Sequence, residues 1–162
     1  MDIRIATGED WPGLWPVIEE VVRQGETYCW PVDATEEQCR AWWMGKAGGT
    51  VFVAEDDDGA VAGTAELHPN QPAAGSHVAN AGFMVAAHAS GRGLGRALAT
   101  HVIEAAAGQG FTAMQFNAVV STNVHAVGLW ESLGFEVLAE IPRAFNHPVH
   151  GLVGLKVMHR AL

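Results

Sequence analysis

Apolar residues recur along the chain with two periods, which divide it into strands and helices. Alternation predicts strands over 3–5, 50–55 and 60–67, and the turn at 56–59 joins the last two as a hairpin. Short apolar runs predict four more strands, over 80–86, 112–119, 135–141 and 152–159. Apolar positions three and four apart predict four helices, starting at Asp10 and covering 35–48, 92–108 and 123–133.

Local start signals support the first two helices. Asp10 is expected as the N-cap of the first helix, with Pro12 in its first turn. Thr35, followed three residues later by Gln38, predicts a capping box that opens the second helix. The order of strands and helices predicts an α+β fold with a mixed central sheet. Because no repeat or linker interrupts this order, residues 1–162 are expected to form a single domain.

Composition and charge narrow the class of protein. A chain of 162 residues with 49% apolar residues predicts a globular protein with a full core. Its apolar runs are too short to cross a membrane, and Asp2, Arg4 and Glu9 interrupt any signal peptide. The formal net charge of −9 argues against general nucleic-acid binding. We therefore expect a cytoplasmic protein with neither nucleic acid nor a membrane as its partner.

The sequence predicts no metal site and no disulfide. Cys29 and Cys39 have no companions at metal-ligand spacing and are expected to be reduced thiols. His147 and His150 flank Pro148 without further ligands nearby, which predicts a loop. Five of the six tryptophans fall in the first third of the chain: Trp11, Trp15, Trp30, Trp42 and Trp43. They are expected in the core or at a dimer contact, so the sequence leaves a homodimer open.

A cluster of glycines follows the strand predicted over 80–86. Gly91, Gly93 and Gly95 alternate with other residues just before an alanine-rich helix. Glycine permits close approach of the backbone to a ligand, and the free N–H groups of a helix N-terminus favour anions. The spacing fits neither a Walker loop nor a dinucleotide-binding turn. The segment therefore predicts a phosphate-bearing ligand and leaves its identity open.

A second segment, Asn123-Val124-His125-Ala126-Val127-Gly128-Leu129-Trp130-Glu131-Ser132-Leu133-Gly134-Phe135, resembles the acyl-CoA helix of the GNAT superfamily of N-acetyltransferases. In that family an Asn opens the helix, an Ala follows three residues later, and Leu-Gly-Phe closes it. The glycine cluster resembles the family's pyrophosphate loop. The resemblance covers roughly residues 3–160. It implies a GNAT-type fold with a splayed parallel strand pair, and an enzyme that uses acetyl-CoA as cosubstrate.

The resemblance implies which residues contact acetyl-CoA. The pantetheine arm would pair with the backbone of the strand before the loop, and the loop and helix would supply the other contacts: Phe83, Met84, Val85, Ser90, Gly91, Arg92, Gly93, Leu94, Gly95, Arg96, Asn123 and Trp130. Ser90 stands where the family usually has Arg or Gln. Trp130 stands where many members have a Tyr that protonates the departing thiolate. An indole N–H is no useful acid, so that proton must come from water, the substrate ammonium or another side chain.

Three asparagines carry a narrower resemblance. Asn80 and Asn117 lie on strands that are otherwise apolar, where Asn is disfavoured, and Asn123 opens the last helix. The pattern resembles the branch represented by the yeast proline-analogue acetyltransferase, which acetylates azetidine-2-carboxylate. In that branch the first two asparagines bind the substrate carboxylate, which implies the same role for Asn80 and Asn117. A structural role for each amide is the alternative.

The acceptor side is expected to involve the loop after the first helix and the second hairpin strand. Thr27 and Tyr28 would wall the acceptor pocket, and Glu66 or His68 would take a proton from the substrate ammonium; solvated strand-end residues are the alternative. We predict Asn80 and Glu66 as catalytic residues of an N-acetyltransferase for a small-molecule amine, such as an amino acid or proline-like analogue. Acetylation of a protein or antibiotic amine, and a non-catalytic acetyl-CoA-binding module, remain alternatives.

Overall fold

The strands of the computed structural model, which describes residues 1–162, form one seven-stranded sheet. The strands are β1 (Asp2–Ile5), β2 (Thr50–Glu55), β3 (Val61–Pro69), β4 (Val78–Val85), β5 (Ala113–Val120), β6 (Glu136–His147) and β7 (Gly151–Ala161). The helices are α1 (Trp11–Gln24), α2 (Glu36–Met44), α3 (Leu94–Gly108) and α4 (Val124–Ser132). The strand order is β1-β2-β3-β4-β5-β7-β6.

A parallel strand pair lies at the centre of this sheet and confirms the predicted mixed topology. Every other neighbouring pair of strands is antiparallel, and only β4 and β5 run parallel. Their pairing is limited to Val78 with Ala113 and Ala79 with Met114. Beyond these two positions the strands separate, which leaves part of the β4 edge free to bind a ligand.

The helices cover both faces of the sheet and produce two apolar cores. Leu14 and Ile18 of α1 and Trp43 of α2 pack on one face, together with Val51 and Val53 of β2. The alternate residues of β2, with Leu98 of α3 and Trp130 of α4, pack on the other face. The period of two along β2 thus feeds both cores, as expected of a strand covered on both sides.

Asp10 occupies the predicted N-cap position of α1, but its side chain makes no capping hydrogen bond to this helix. The Asp10 carboxylate accepts hydrogen bonds from the Thr7 N–H (2.7 Å) and from Arg4 Nη2 (2.7 Å). Thr7 caps a short 3₁₀ turn over Gly8–Asp10, and α1 begins directly after it at Trp11. From the sequence, the Asp10 carboxylate was expected to be free to cap the helix. In the structure, the Arg4 guanidinium and the Thr7 N–H bind it instead.

Three element boundaries differ from the predictions. The second helix ends at Met44 rather than near Gly48. The third helix begins at Leu94 rather than at Arg92, because Gly91 and Gly93, just before it, adopt positive φ angles of 77° and 83°. The strand predicted to end at Ile141 continues as β6 to His147, with an irregular register between Ile141 and Phe145. Pro142 lies within this irregularity, where a missing N–H is tolerated.

No helix has both the length and the apolar character needed to span a membrane.

His147 lies at the end of β6, and its Nδ1 accepts hydrogen bonds from the N–H groups of Val149 and His150 in the turn to β7. No group of three or more His, Cys, Asp or Glu side chains is arranged to hold a metal ion. Neither cysteine forms a disulfide; Cys29 is exposed and Cys39 is buried.

Candidate active site

Two adjoining cavities open where β4 and β5 separate. The small cavity, of about 290 Å³, lies among the loop after α1, β3, β4 and β5. The large cavity, of about 740 Å³, lies between the glycine turn and α4. Thr27, Phe83, Asn123, Ala126 and Trp130 line both. A ligand in the large cavity can therefore reach a second ligand in the small one.

Unpaired backbone N–H groups line the glycine turn beside the large cavity. None of the N–H groups from Gly91 to Arg96 donates a hydrogen bond within the chain. Gly93, in the left-handed region, immediately precedes α3, and Leu94 is buried and anchors that helix in the core. Consecutive free N–H groups at a helix N-terminus are a binding site for phosphate oxygens. The turn therefore offers the free donors that a phosphate-bearing ligand needs.

The two arginines of this turn differ in their position relative to the large cavity. Arg92 is exposed and does not line the large cavity, whereas Ser90 and Arg96 do. Arg96 Nη2 donates to Ser132 Oγ at 2.9 Å, which ties the first turn of α3 to α4. Backbone N–H groups, rather than arginine side chains, therefore form the centre of this turn.

The opposite wall of the large cavity is the start of α4. Asn123 is the N-cap of this helix, and its Oδ1 accepts from the Ala126 N–H at 3.2 Å. Further along the same helix, Trp130 packs against Phe83 and Phe116, with ring centroids 4.9 and 4.7 Å away. The Trp130 indole N–H donates to no group of the chain, and the residue is 8% exposed. The ring therefore shapes the junction of the two cavities.

The backbone of β4 is less free than the resemblance implied. The Phe83 N–H donates to the Tyr28 hydroxyl at 2.9 Å, and that hydroxyl donates to the Phe83 carbonyl at 3.1 Å. Met84 pairs with Thr64 of β3, so its backbone groups point away from the splay and its side chain is buried. The alternation along the strand leaves Val85 facing the splay. Tyr28 thus takes the place of a missing strand at Phe83.

A buried carboxylate with two basic partners lies in the small cavity. The Glu66 side chain is 5% exposed, and its Oε1 and Oε2 bind Lys46 Nζ at 2.7 Å and His68 Nδ1 at 2.6 Å. Glu66 lies opposite Gly82 in the β3–β4 register, and His68 lies opposite Asn80. Glu66 is therefore not a solvated strand-end residue, because both of its oxygens are held inside the fold.

The hydroxyl of Tyr28 lies close to this carboxylate. A Cβ atom placed on Gly82 would lie 2.9 Å from both Glu66 Oε1 and the Tyr28 hydroxyl. Burial, and then the negative charge of Glu66, raise the pKa of Tyr28, which is therefore neutral and able to donate. Gly82 thus makes room for the two polar groups to approach the backbone of β4.

The two predicted carboxylate-binding asparagines both line the small cavity, but their environments differ. Asn80 is half-buried, and its Oδ1 accepts from the Ala81 N–H at 2.8 Å, which leaves its NH₂ group without a partner in the chain. Asn117 is exposed; its Nδ2 donates to Asn70 Oδ1 at 2.7 Å, and its Oδ1 accepts from Gln115 at 2.9 Å. Asn80 therefore offers the freer pair of donors.

Several residues that line the small cavity were not predicted from the sequence. Trp30 contacts Tyr28 at a centroid distance of 5.3 Å and forms part of the wall, although the tryptophans were expected only in the core or at a dimer contact. Lys46 and Cys29 also line it. One signal was available for Lys46: it is one of only two lysines in the chain and lies in a glycine-containing loop.

Comparisons with known proteins agree with this geometry. The Acetyltransferase (GNAT) family model matches residues 15–135. The L-methionine sulfoximine/L-methionine sulfone acetyltransferase of Pseudomonas paraeruginosa is 33% identical over 147 residues, which span 87% of this chain and 83% of that protein. The N-acetyltransferase aca1 of Schizosaccharomyces pombe is 39% identical over 69 residues, which span 43% of this chain but only 33% of aca1.

Solved structures share the whole fold. A GCN5-related N-acetyltransferase from Kribbella flavida superposes with a TM-score of 0.94 at 52% identity, over 99% of this chain and 97% of that one. The structure of yncA from Salmonella typhimurium with its cofactor acetyl-CoA gives a TM-score of 0.87 at 25% identity, over 100% and 94%. The chain belongs to the Acetyltransferase (GNAT) family. It is accordingly an acetyl-CoA-dependent acyltransferase with the GNAT fold.

Proposed function

We propose that this acyltransferase moves the acetyl group of acetyl-CoA to the amine of a small molecule that carries a carboxylate, such as an amino acid or proline-like analogue. The observation that carries the proposal is the junction of the two cavities at Phe83, Asn123 and Trp130. One cavity has a phosphate-binding turn, and the other has a carboxylate and amide donors. Each cavity thus suits one of the two substrates.

The proposed acetyl-CoA site extends from the glycine turn to β4. The N–H groups from Gly91 to Arg96 would bind the phosphates, and the backbone of Val85 would hold the arm that leads to the thioester. A backbone N–H near Val85 would also stabilise the oxyanion that forms when the amine attacks. Acetyl-CoA supplies the activated acyl group, and Asn123 and Trp130 would keep it beside the small cavity.

The proposed acceptor class follows from the polar groups of the small cavity and from a relative. A cavity of about 290 Å³ suits a molecule of amino-acid size. The Asn80 amide and, on its unpaired side, the Asn117 amide would donate to the acceptor carboxylate. The Pseudomonas paraeruginosa relative is named for two amino-acid analogues, L-methionine sulfoximine and L-methionine sulfone. The same three asparagines support the narrower proposal of an azetidine-2-carboxylate-type acceptor.

The proposed base for the acceptor amine is Glu66. An amine is protonated near neutral pH and must lose a proton before it attacks. The Glu66 carboxylate would receive that proton directly or through a water molecule. His68, at 2.6 Å from Glu66 and 17% exposed, would then carry it towards solvent. Trp130 is left without a role as an acid, so the departing thiolate would take its proton from water or from the acceptor.

The experiment is a thiol-release assay with acetyl-CoA and an acceptor panel. The panel holds L-methionine sulfone, L-azetidine-2-carboxylate, their carboxamides and a peptide amine. We expect turnover with the amino acids and a lower kcat/KM with the carboxamides. Asn80→Ala should lower kcat/KM for the amino acids about 10- to 150-fold, since a charge-assisted hydrogen bond is lost, and leave acetyl-CoA binding unchanged. Turnover confined to the peptide amine would overturn the proposed acceptor class.

A further inference from the structure

We infer that Lys46 is the cationic anchor that binds the acceptor's carboxylate and so restricts this enzyme to amines that also carry a carboxylate. The inference rests on the proposed function, since it assigns a specificity-determining residue to the same small cavity. Lys46 lies in the loop between α2 and β2 and lines this cavity. It is the only lysine or arginine that does so.

The Lys46 ammonium is positioned by one partner and retains donors for another. Its Nζ donates to Glu66 Oε1 at 2.7 Å and to no other group of the chain. An ammonium group has three N–H donors, so two remain for a ligand. The Lys46 side chain is 31% exposed, whereas its partner Glu66 is 5% exposed. Both ends of the ion pair line the small cavity, and the positive end is the more exposed of the two.

The sheet register brings this ammonium near the amide of Asn80. Glu66 lies opposite Gly82 and His68 lies opposite Asn80, so Glu66 and Asn80 are diagonal neighbours on one face of β3 and β4. Diagonal neighbours on antiparallel strands lie about 7–8 Å apart. A carboxylate bound between Lys46 and Asn80 would then accept hydrogen bonds from both. The acceptor amine would remain within reach of the Glu66 carboxylate.

Charge complementarity favours an acceptor that carries both charges. The chain has a formal net charge of −9, so a simple anion is repelled at long range. A zwitterion has no net charge and is not repelled. Within the cavity, its carboxylate would face Lys46 and its ammonium would face Glu66. An amine without a carboxylate would gain no favourable contact with Lys46. The pair therefore selects α-amino acids over amines without a carboxylate.

The test compares substitutions at the two lysines of the chain. Lys46→Met removes the charge and keeps the apolar stem, and Lys46→Arg keeps the charge. Lys156→Met is the matched control, because Lys156 Nζ also binds a carboxylate at 2.7 Å, that of Glu140, but lies outside the cavity. For each variant, kcat/KM is measured with L-methionine sulfone and with its carboxamide.

We expect Lys46→Met to lower kcat/KM for the amino acid by about 10- to 100-fold, mainly through KM, because a charge-assisted hydrogen bond is lost. The kcat/KM of Lys46→Met for the carboxamide should change little, so the preference for the carboxylate-bearing acceptor should disappear. Lys46→Arg should keep most of that preference, and Lys156→Met should keep all of it. A Lys46→Met protein that still prefers the carboxylate as strongly as the parent would overturn the inference.

A second variant guards against misfolding. Lys46→Met leaves the buried Glu66 with one partner fewer, which lowers stability in its own right. Lys46→Gln retains a neutral donor to Glu66, and thermal unfolding of each variant reports the folded fraction. A folded Lys46→Gln protein should also lose the carboxylate preference. A purely structural ion pair would instead lower both acceptors' kcat/KM equally, which counts against the inference.

The outcomes separate the inference from the proposed function. If the parent acetylates none of the carboxylate-bearing acceptors, the proposed acceptor class fails, and the assignment of Lys46 fails with it. If the parent prefers those acceptors and Lys46→Met preserves the preference, only the assignment of Lys46 fails. Loss of the preference in Lys46→Met, with Lys156→Met unchanged, supports both.

Discussion

Gly82 sets how closely the polar groups of the small cavity approach the sheet. It lies on β4 opposite Glu66, and Glu66, Tyr28 and Trp43 all crowd the position of its absent side chain. The Tyr28 hydroxyl in turn binds both backbone groups of Phe83. The absence of a side chain at Gly82 thus permits Glu66 and Tyr28 to lie close together against β4.

The substitution Gly82→Ala tests this requirement. The new Cβ would lie 3.2 Å from Trp43 Cη2 and 2.9 Å from the Glu66 and Tyr28 oxygens, so these groups must move. We expect a loss of about 1–3 kcal/mol in the free energy of unfolding, as in other overpacked sites. Because Glu66 is displaced, kcat should fall by up to about 100-fold.

Chemical denaturation and the thiol-release assay measure the two effects. Gly108→Ala is a suitable control, since a Cβ at Gly108 meets nothing within 4 Å and this residue lies far along α3. A Gly82→Ala protein with the parent's stability and kcat would show that Glu66 and Tyr28 do not need their present positions.

Among the elements, the turn before α3 shows what a residue pattern can predict. Alternating glycines followed by an alanine-rich helix predicted a phosphate-binding turn, and the structure leaves six consecutive N–H groups free there, from Gly91 to Arg96. Local geometry determines this feature, because positive φ angles at Gly91 and Gly93 are accessible without strain only to glycine. The sequence therefore indicates the turn without reference to the rest of the chain.

The substitution Gly93→Val tests the role of this turn. Gly93 has a φ of 83° and no atom of the chain within 4 Å of an added Cβ, so within the protein the substitution acts through backbone strain and not through crowding. Valine in this region costs about 1–3 kcal/mol, which the loop would relieve by changing conformation. We expect a rise of about 10-fold or more in KM for acetyl-CoA, with the acceptor's KM affected less.

Isothermal titration with CoA measures the affinity directly, and Gly108→Ala at the other end of α3 is again the control. That control should bind CoA like the parent. If a folded Gly93→Val protein binds CoA as tightly as the parent, the turn is not the phosphate site.

Elements whose limits depend on tertiary contacts were predicted less well. The strand β6 continues past Pro142 to His147, because an irregular register with β7 absorbs the residues that cannot pair regularly. Likewise Asp10 holds the predicted N-cap position of α1, but its carboxylate makes no capping hydrogen bond, because Arg4, six positions earlier, binds it. Propensity and spacing describe local competition, and neither includes a partner from another element.

At the scale of the whole molecule, the site is formed by contacts between distant segments. Lys46 and Glu66 are 20 positions apart, and Tyr28 and Phe83 are 55 apart. Glu66 and Asn80 were both predicted as catalytic residues, but nothing local indicated that the α2–β2 loop returns to Glu66. The family resemblance supplied the splayed pair β4–β5; the small cavity's charge pairing required the folded structure.

The same kind of long-range contact joins the N-terminus to the rest of the sheet. Arg4 on β1 binds Asp10 at the start of α1 and Glu55 at the end of β2, at 2.7 and 2.6 Å. Hydrogen bonds from Arg4, and then from the Thr7 backbone, hold the pKa of Asp10 well below its usual range. The Asp10 side chain is 14% exposed, so solvent screens this contact only in part.

A lowered carboxyl pKa stabilises the folded state above the unfolded-state pKa of about 4, and the stabilisation is lost as the pH falls towards the folded-state pKa. Asp10→Asn keeps the oxygen that accepts from Thr7 and removes the charge. We therefore expect its melting temperature to lie a few degrees below the parent's at pH 6–7, and the difference to shrink below about pH 4. Thermal unfolding of both proteins between pH 3.5 and pH 7 measures it. A difference that stays constant over this range, or grows as the pH falls, would show that the Arg4–Asp10 ion pair does not link β1 and α1 in the way the contacts indicate.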